Sequence, residues 1–526
     1  MFFAWSMTPS LLPRVWYFQC VATGISVATG YGIGALVAWL VHSAGVRPAW
    51  SPRSRRFGWW ALAAAAVLVI PTFLALGSWW QQIIRDLVGV PRAPRAMYVS
   101  VLLVSAVVAV AIVAAARGIR RLTRVIAHRC SGVIPLPVAR LVAVIVVAVI
   151  AITAVNGALY RGLLGIAQIT AEAADHSTAD GITPPTSPLR SGSAASAQPW
   201  DSLGREGRTF VASGPDAQQI EDVTGRPAIE PIRVYAGRES ADTVADVADL
   251  VVAELEAAGA FDRKVLAVAT TTGRGWVNNN VASALEYVNG GDTAIAAMQY
   301  SFLPSALSFI ADRETPQIAG RALFDRVYDA WSARPEGSRP TLVVFGESLG
   351  SYGGQAAFSS GDDLVARTDG ALLVGTPNFA QPWRTLTDQR DAGSSERLPV
   401  VDSGKNIRFA SRPEDTALPE PWSSPRIVFW QHASDPITWW SFRLAVQRPD
   451  WLAEPLGPDV DPGMRWIPLV TFWQVTLDMV FSADVPSGFG HAFGPEAVHL
   501  WADILQLPGM DTATADRVQA ALSEAG

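Results

Sequence analysis

Four stretches of the chain, about 16–41, 57–79, 97–116 and 136–160, are apolar on all sides rather than along one stripe. Each reaches the roughly 20 residues needed to cross ~30 Å of hydrocarbon. None carries a charge at its centre, and Arg140 stands near the start of the fourth. A run such as "ALAAAAVLVIPTFLALG" has no polar face to offer water, so the pattern predicts a bundle of membrane-spanning helices rather than buried core helices. The opening "MFFAWSMTPSLLPR" is apolar but too short to span. It lacks a basic n-region and a small-residue cleavage site, so it does not read as a signal peptide. The tail of a further helix is the alternative.

Beyond these runs the pattern changes. Residues 171–205 are rich in Ala, Ser, Thr and Pro and read as a linker or loosely packed surface segment. From about 206, strand-like and helix-like runs alternate. "PIRVYAG", "RKVLAVATTTGRGW", "DTAIAAMQYSF", "TLVVFGES", "GALLVGTPNF" and "RIVFWQHASDP" read as strands with their turns. "ADTVADVADLVVAELEAAG", "NNNVASALEYV" and "IAGRALFDRVYDAWSA" read as helices. Continuous apolar strands alternating with helices predict an α/β domain with a mainly parallel sheet covered on both faces. The expected organisation is a membrane region over 1–170, a linker over 171–205, and the α/β domain over 206–526. A Trp-rich insertion of that domain runs from about 437 to 482.

Charge sharpens this division. Residues 1–170 hold 15 Lys/Arg and one acidic residue, Asp86, about +14, and the rest of the chain is near −20, for a net −6. Arg47, Arg53, Arg55 and Arg56 fall in the first loop, and Arg117, Arg120, Arg121, Arg124 and Arg129 in the third. The second has only Arg85, Arg92 and Arg95, beside Asp86. The positive-inside rule then puts loops one and three in the cytoplasm and the α/β domain outside the plasma membrane. No ionisable cluster lies within the spans, which argues against a transporter. Gly30 and Gly34, at small-xxx-small spacing, suit close helix packing. The acidic half argues against a nucleic-acid partner. The two cysteines, Cys20 and Cys130, leave the α/β domain without a disulfide or thiolate metal site. No metal or cofactor motif is present, and "TTTGRG" is too short for a phosphate-binding loop.

Chemistry concentrates at "LVVFGESLGSYGG". Ser348 sits between an apolar strand and a small-residue helix, flanked by Gly346 and Gly350, as in a nucleophile elbow. A serine hydroxyl needs a base, and the elbow topology runs Ser, acid, His. That order excludes His176 in the linker and disfavours His432. His491, in the glycine-rich loop "VPSGFGHAFGPE", is favoured over His499, which sits in a helical run. The acid is expected after the next-to-last strand, and Asp435 fits there; Asp478 and Asp484 compete but follow no strand. The oxyanion donors expected are the N–H of Leu349 and one from the turn after an early strand, Thr272 or Gly273.

"PSLLPR", "GYGIG", "TGRGWVNNN", "GGDTAIAAMQYSFLPS", "FGESLGSYG", "HASDPITWW", "RPDWL" and "GFGHAFG" together resemble the membrane-anchored α/β-hydrolase family of actinobacteria. The resemblance covers nearly the whole chain outside the linker. It implies an α/β-hydrolase fold preceded by an all-α transmembrane bundle, with Ser348, Asp435 and His491 in the catalytic roles. The family pattern often has a His two residues before the loop histidine; here that position is Phe489. The family supplies no substrate.

The insertion between acid and base carries Trp439, Trp440, Trp451, Trp466 and Trp473. Residues 464–481 hold Arg465, Pro468 and Asp478, and a span there would put acid and base on opposite sides of the membrane. The run is therefore a core helix, or an interfacial helix or lid. The expectation is a membrane-embedded serine esterase or lipase whose partners are the lipid bilayer and an acyl-ester or lipid substrate. The alternatives are an acyltransferase using the same triad, and a catalytically silent envelope scaffold. The oligomeric state is not legible.

Overall fold

A computed structural model of the chain describes residues 1–46, 50–94, 97–153, 161–304, 308, 312–507 and 510–525. Arg47, Arg95, Ser305 and the 154–160 end of the expected fourth span lie outside these residues. The chain divides into two compact units: Met1–Leu163 with Trp440–Pro486, and Leu164–Trp439 with Ser487–Gly526.

In the first unit, the helices Trp16–Ser43, Pro52–Leu87 and Met97–Cys130 are long and apolar enough to cross a membrane. A fourth apolar helix runs Leu136–Thr153. The arginines expected in loops largely extend these helices instead: Arg53, Arg55 and Arg56 open the second, and Arg117–Arg129 close the third. Arginine is a good helix former, so the helices continue past their apolar stretches.

The Trp-rich segment, expected as an insertion of the hydrolase domain, packs in this unit. Its helix Val470–Asp478 meets the N-terminal "PSLLPR" stretch. Asp478 accepts from Arg14 Nε at 2.7 Å, and neither side chain is more than 1% exposed. The N–H groups of Leu11 and Leu12 donate to the other oxygen of Asp478 at 3.2 and 3.4 Å. Arg14 also donates to Gln19, and Gln474 donates to the carbonyl of Thr8. Phe18 and Phe481 meet edge to face at 4.7 Å. No periodicity in either stretch foretells that each supplies the other's cover.

The second unit is built on seven parallel strands: β1 (Ile232–Ala236), β2 (Val265–Thr270), β3 (Thr293–Met298), β4 (Thr341–Glu347), β5 (Gly370–Val374), β6 (Ile407–Ala410) and β7 (Arg426–Trp430). Their order is β1-β3-β2-β4-β5-β7-β6. The strands are buried on both faces, which is why they read as continuous apolar runs. Helices Asn279–Val288, Ala497–Leu505 and Thr512–Ala525 close a core that includes Phe345, Leu372, Val428 and Trp501. Helices Val244–Ala257, Thr315–Ser332 and Leu349–Gln355 pack together, the first against β1 and β3, the others against β2.

Three features depart from the sequence reading. β6 is an additional, four-residue edge strand. β7 is therefore the last strand in chain order, although in the sheet it lies next to the edge. The 171–205 segment is in part docked. Arg190 forms a parallel bridge with Arg233 of β1, Ser191 N–H donates to the Arg233 carbonyl, and Arg190 reaches the carbonyls of Val211, Gly214 and Pro215. The exposed edge of β1 explains this: its unpaired backbone groups recruit the passing chain.

β1 also holds a buried charge. Arg233 makes two 2.7 Å bonds to Glu286, with both side chains fully enclosed. Phe210, Asn279 and Ser283 take the remaining donors.

Candidate active site

Register brings the site together. Thr270 pairs with Gly346, Glu347 with Val374, and Val374 with Trp430. The carboxyl ends of β2, β4, β5 and β7 are thus level, and the segments leaving them start side by side. Chemistry collects at this end of open parallel sheets.

Ser348 follows β4 directly, with φ 56° and ψ −118°. A non-glycine residue at positive φ is strained and is held there by its surroundings. Its N–H donates to the Val374 carbonyl at 2.9 Å, and its own carbonyl accepts from Tyr352 N–H at 3.0 Å. Its side chain does not cap the helix it begins. The flanking glycines are required by space. A Cβ on Gly350 would lie 2.2 Å from the Thr270 carbonyl oxygen, and one on Gly346 would lie 2.7 Å from the Gly350 carbonyl carbon.

His491 sits in a tight turn in which Gly488 N–H donates to the Ala492 carbonyl and Ala492 N–H to that of Phe489. Phe489 therefore shapes the turn through its backbone. The segment after β7 grips this turn at three points. His432 Nδ1 bonds the Gly490 carbonyl at 3.0 Å, Gly490 N–H donates to Ser434 Oγ at 2.9 Å, and His491 Nδ1 lies 2.7 Å from Asp435 Oδ2. Asp435, fully buried, also accepts from Ile437 N–H at 2.8 Å and from the Thr438 hydroxyl at 3.1 Å. With Nδ1–H committed to Asp435, Nε2 is the basic nitrogen, and it has no hydrogen-bond partner among the described residues. Desolvation opposes the imidazolium, but the Asp435 charge, its hydrogen bond and the Glu347 charge outweigh it, so the His491 pKa is raised.

Leu349 opens its helix, so its N–H has no intrahelical acceptor. Thr272 and Gly273 lie in the turn after β2. The Thr272 N–H is committed within that turn to the Trp276 carbonyl at 3.0 Å, so that amide is not a free oxyanion donor.

The competing residues have other partners. His499 Nε2 bonds Gln519, and Asp478 belongs to Arg14. Asp484 falls in the first unit, in the turn after Phe481. His176 stands with Glu172 and Glu239, their ligand atoms within 4.8 Å, in a largely exposed group. Residues passed over in the sequence include His432, Ser434, Asn278 and Glu347. The first two were visible in "HASDP" but carry no chemistry of their own there. Asn278 Nδ2 donates to Glu347 at 2.5 Å and to the Phe493 carbonyl at 3.0 Å.

A parallel sheet bearing a strained serine between strand and helix, with a carboxylate-bound histidine on a late loop, defines an α/β-hydrolase domain. The chain belongs to the alpha/beta-hydrolase family: the family's model matches residues 232–518, and that of the alpha/beta-hydrolase family N-terminus matches residues 7–215. No curated protein and no solved structure matches the chain. A hydrolase-like protein with apolar N-terminal helices that fit a membrane region follows from these findings together.

Proposed function

We propose that the protein is a membrane-embedded serine hydrolase acting on acyl esters of envelope lipids, with its hydrolase domain outside the plasma membrane. The reading is carried by the 2.7 Å bond from His491 to Asp435, which leaves Nε2 basic, in a site that also contains the strained Ser348. In this mechanism Nε2 takes the Ser348 proton as Oγ attacks the ester carbonyl. Asp435 holds the tautomer and steadies the imidazolium. The tetrahedral oxyanion is met by the Leu349 N–H and a second donor from the turn after β2. The imidazolium then protonates the departing alkoxide, leaving an acyl-Ser348. Water, deprotonated by His491, then attacks the acyl carbonyl; the bond to Ser348 Oγ breaks, the imidazolium returns the proton to Oγ, and the acid leaves. Apolar N-terminal helices long enough to cross a membrane favour a substrate with one apolar end.

Fluorophosphonate labelling of the detergent-solubilised full chain tests this. Labelling should vanish in Ser348→Ala and fall sharply in His491→Ala. A folded wild-type protein that stays unlabelled, in lipid nanodiscs as well as detergent, would leave the scaffold reading in its place.

A further inference from the structure

The triad does not use every ionisable group of the site, and Glu347 is one it leaves. Glu347, the last residue of β4, directly precedes Ser348. Asn278 Nδ2 donates both to its carboxylate and to the carbonyl of Phe493, two residues beyond His491. Asn278 is itself fixed, because its Oδ1 caps the helix Asn279–Val288 through Val281 N–H at 3.2 Å. One amide therefore ties the serine elbow to the histidine loop, and Phe493 stands edge-on to His491 with ring centres 5.5 Å apart.

Next to Glu347 lies a cavity of about 10 Å³, also lined by Thr270, Trp276, Asn278 and Phe345. It has room for about one water. The carboxylate is partly enclosed, so its field reaches its neighbours with less screening than that of a surface carboxylate. The titratable groups acting on it are His491 and Asp435, and the residues lining the cavity add no other charge. Among the described residues no hydrogen bond joins Glu347 to His491, so the two interact through space.

We propose that Glu347 is a positioning residue for His491: held by Asn278, its carboxylate supports the imidazolium formed when Ser348 gives up its proton. This rests on the serine-hydrolase reading. Asp435 supplies a directly hydrogen-bonded share of that support. The Glu347 share changes with pH, since burial pushes its carboxyl up to about 7 while the His491 charge and the Asn278 bond pull it down. Glu347 and His491 then titrate as a coupled pair.

The test is the rate constant of fluorophosphonate labelling of the full chain from pH 5 to 9, for wild type, Glu347→Gln, Glu347→Asp and Ser348→Ala. Gln keeps an acceptor for Asn278 and removes only the charge. Glu347→Gln should lower the plateau rate about 3–10-fold and move the midpoint of the acid limb down by roughly half to one pH unit, because a lost anion favours the neutral imidazole. Glu347→Asp should recover part of both. A Gln variant with the wild-type midpoint and rate would overturn the proposal, since a purely structural role would not move the midpoint. Persistent labelling in Ser348→Ala would instead overturn the triad reading beneath it.

Discussion

His491 Nδ1 stands 2.7 Å from Asp435 Oδ2, across 56 residues of sequence that mostly belong to the other compact unit. Asp435 is pinned from its own side by Ile437 and Thr438, so it fixes the ring rather than following it. Asp435→Asn should keep the fold but present the wrong tautomer, lowering kcat about 10³–10⁴-fold. Hydrolysis of a short-chain aryl ester measures this. A loss under tenfold would remove Asp435 from the role.

Activity should rise with pH along an acid limb centred above 6.5, because His491 is a base only once neutral and its pKa is raised from 6.5. Stability should run the other way. For His491 the stabilising charge is present below about 6.5 and lost as pH climbs through the raised value. Glu347 has the same sign: its pKa moves from 4.5 to about 7, so its contribution is complete below 4.5 and gone above 7. The full chain should therefore melt at lower temperature at pH 8.5 than at pH 6. Glu347→Gln should be more stable than wild type above pH 7, by about 1–3 kcal/mol, and no more stable at pH 4.5. Equal melting curves at both pH values would contradict this.

Gly350→Ala should damage the elbow severely, since its methyl would sit 2.2 Å from the Thr270 carbonyl oxygen, an atom of the sheet backbone that cannot swing aside. A cost of about 2–4 kcal/mol and near-total loss of serine labelling are expected. Thermal unfolding and labelling should fall together, and retention of either would show that β2 and the elbow can separate.

Breaking the enclosed Arg233–Glu286 pair should cost more than a surface ion pair. Glu286→Ala strands a guanidinium in the core and should destabilise by about 3–5 kcal/mol. Replacing both by well-packed apolar residues should recover much of the loss. Denaturant unfolding of the single and double variants gives the comparison, and a single variant as stable as wild type would refute it.

Much of the α/β domain was written in its periodicity. Most of the strands are dominated by apolar residues, β1 being interrupted by Arg233, and the elbow declared itself because Gly346 and Gly350 are needed where a strand turns sharply into a helix. β6 escaped because it is only four residues long, "IRFA", and Arg408 interrupts even that short run; its guanidinium turns to backbone carbonyls on both sides of the strand rather than to water. The 171–205 segment looked like a linker by composition, but composition does not register a free strand edge beside it. Glu347 and Asn278 are 69 residues apart and only their folded contact gives them meaning. The 440–486 segment showed its apolar character clearly, yet an apolar face does not name what covers it.

The Arg14–Asp478 pair has a consequence for how the protein is made. These residues are 464 positions apart and bury their charges against each other. At roughly 5–20 residues per second, Arg14 leaves the ribosome on the order of half a minute to a minute and a half before its partner exists. Among the described residues the other side-chain partner of the Arg14 guanidinium is the neutral amide of Gln19. The helical unit that holds Arg14 is thus completed only when most of the hydrolase domain has followed it, so assembly is timed by the length of the chain between Arg14 and Asp478.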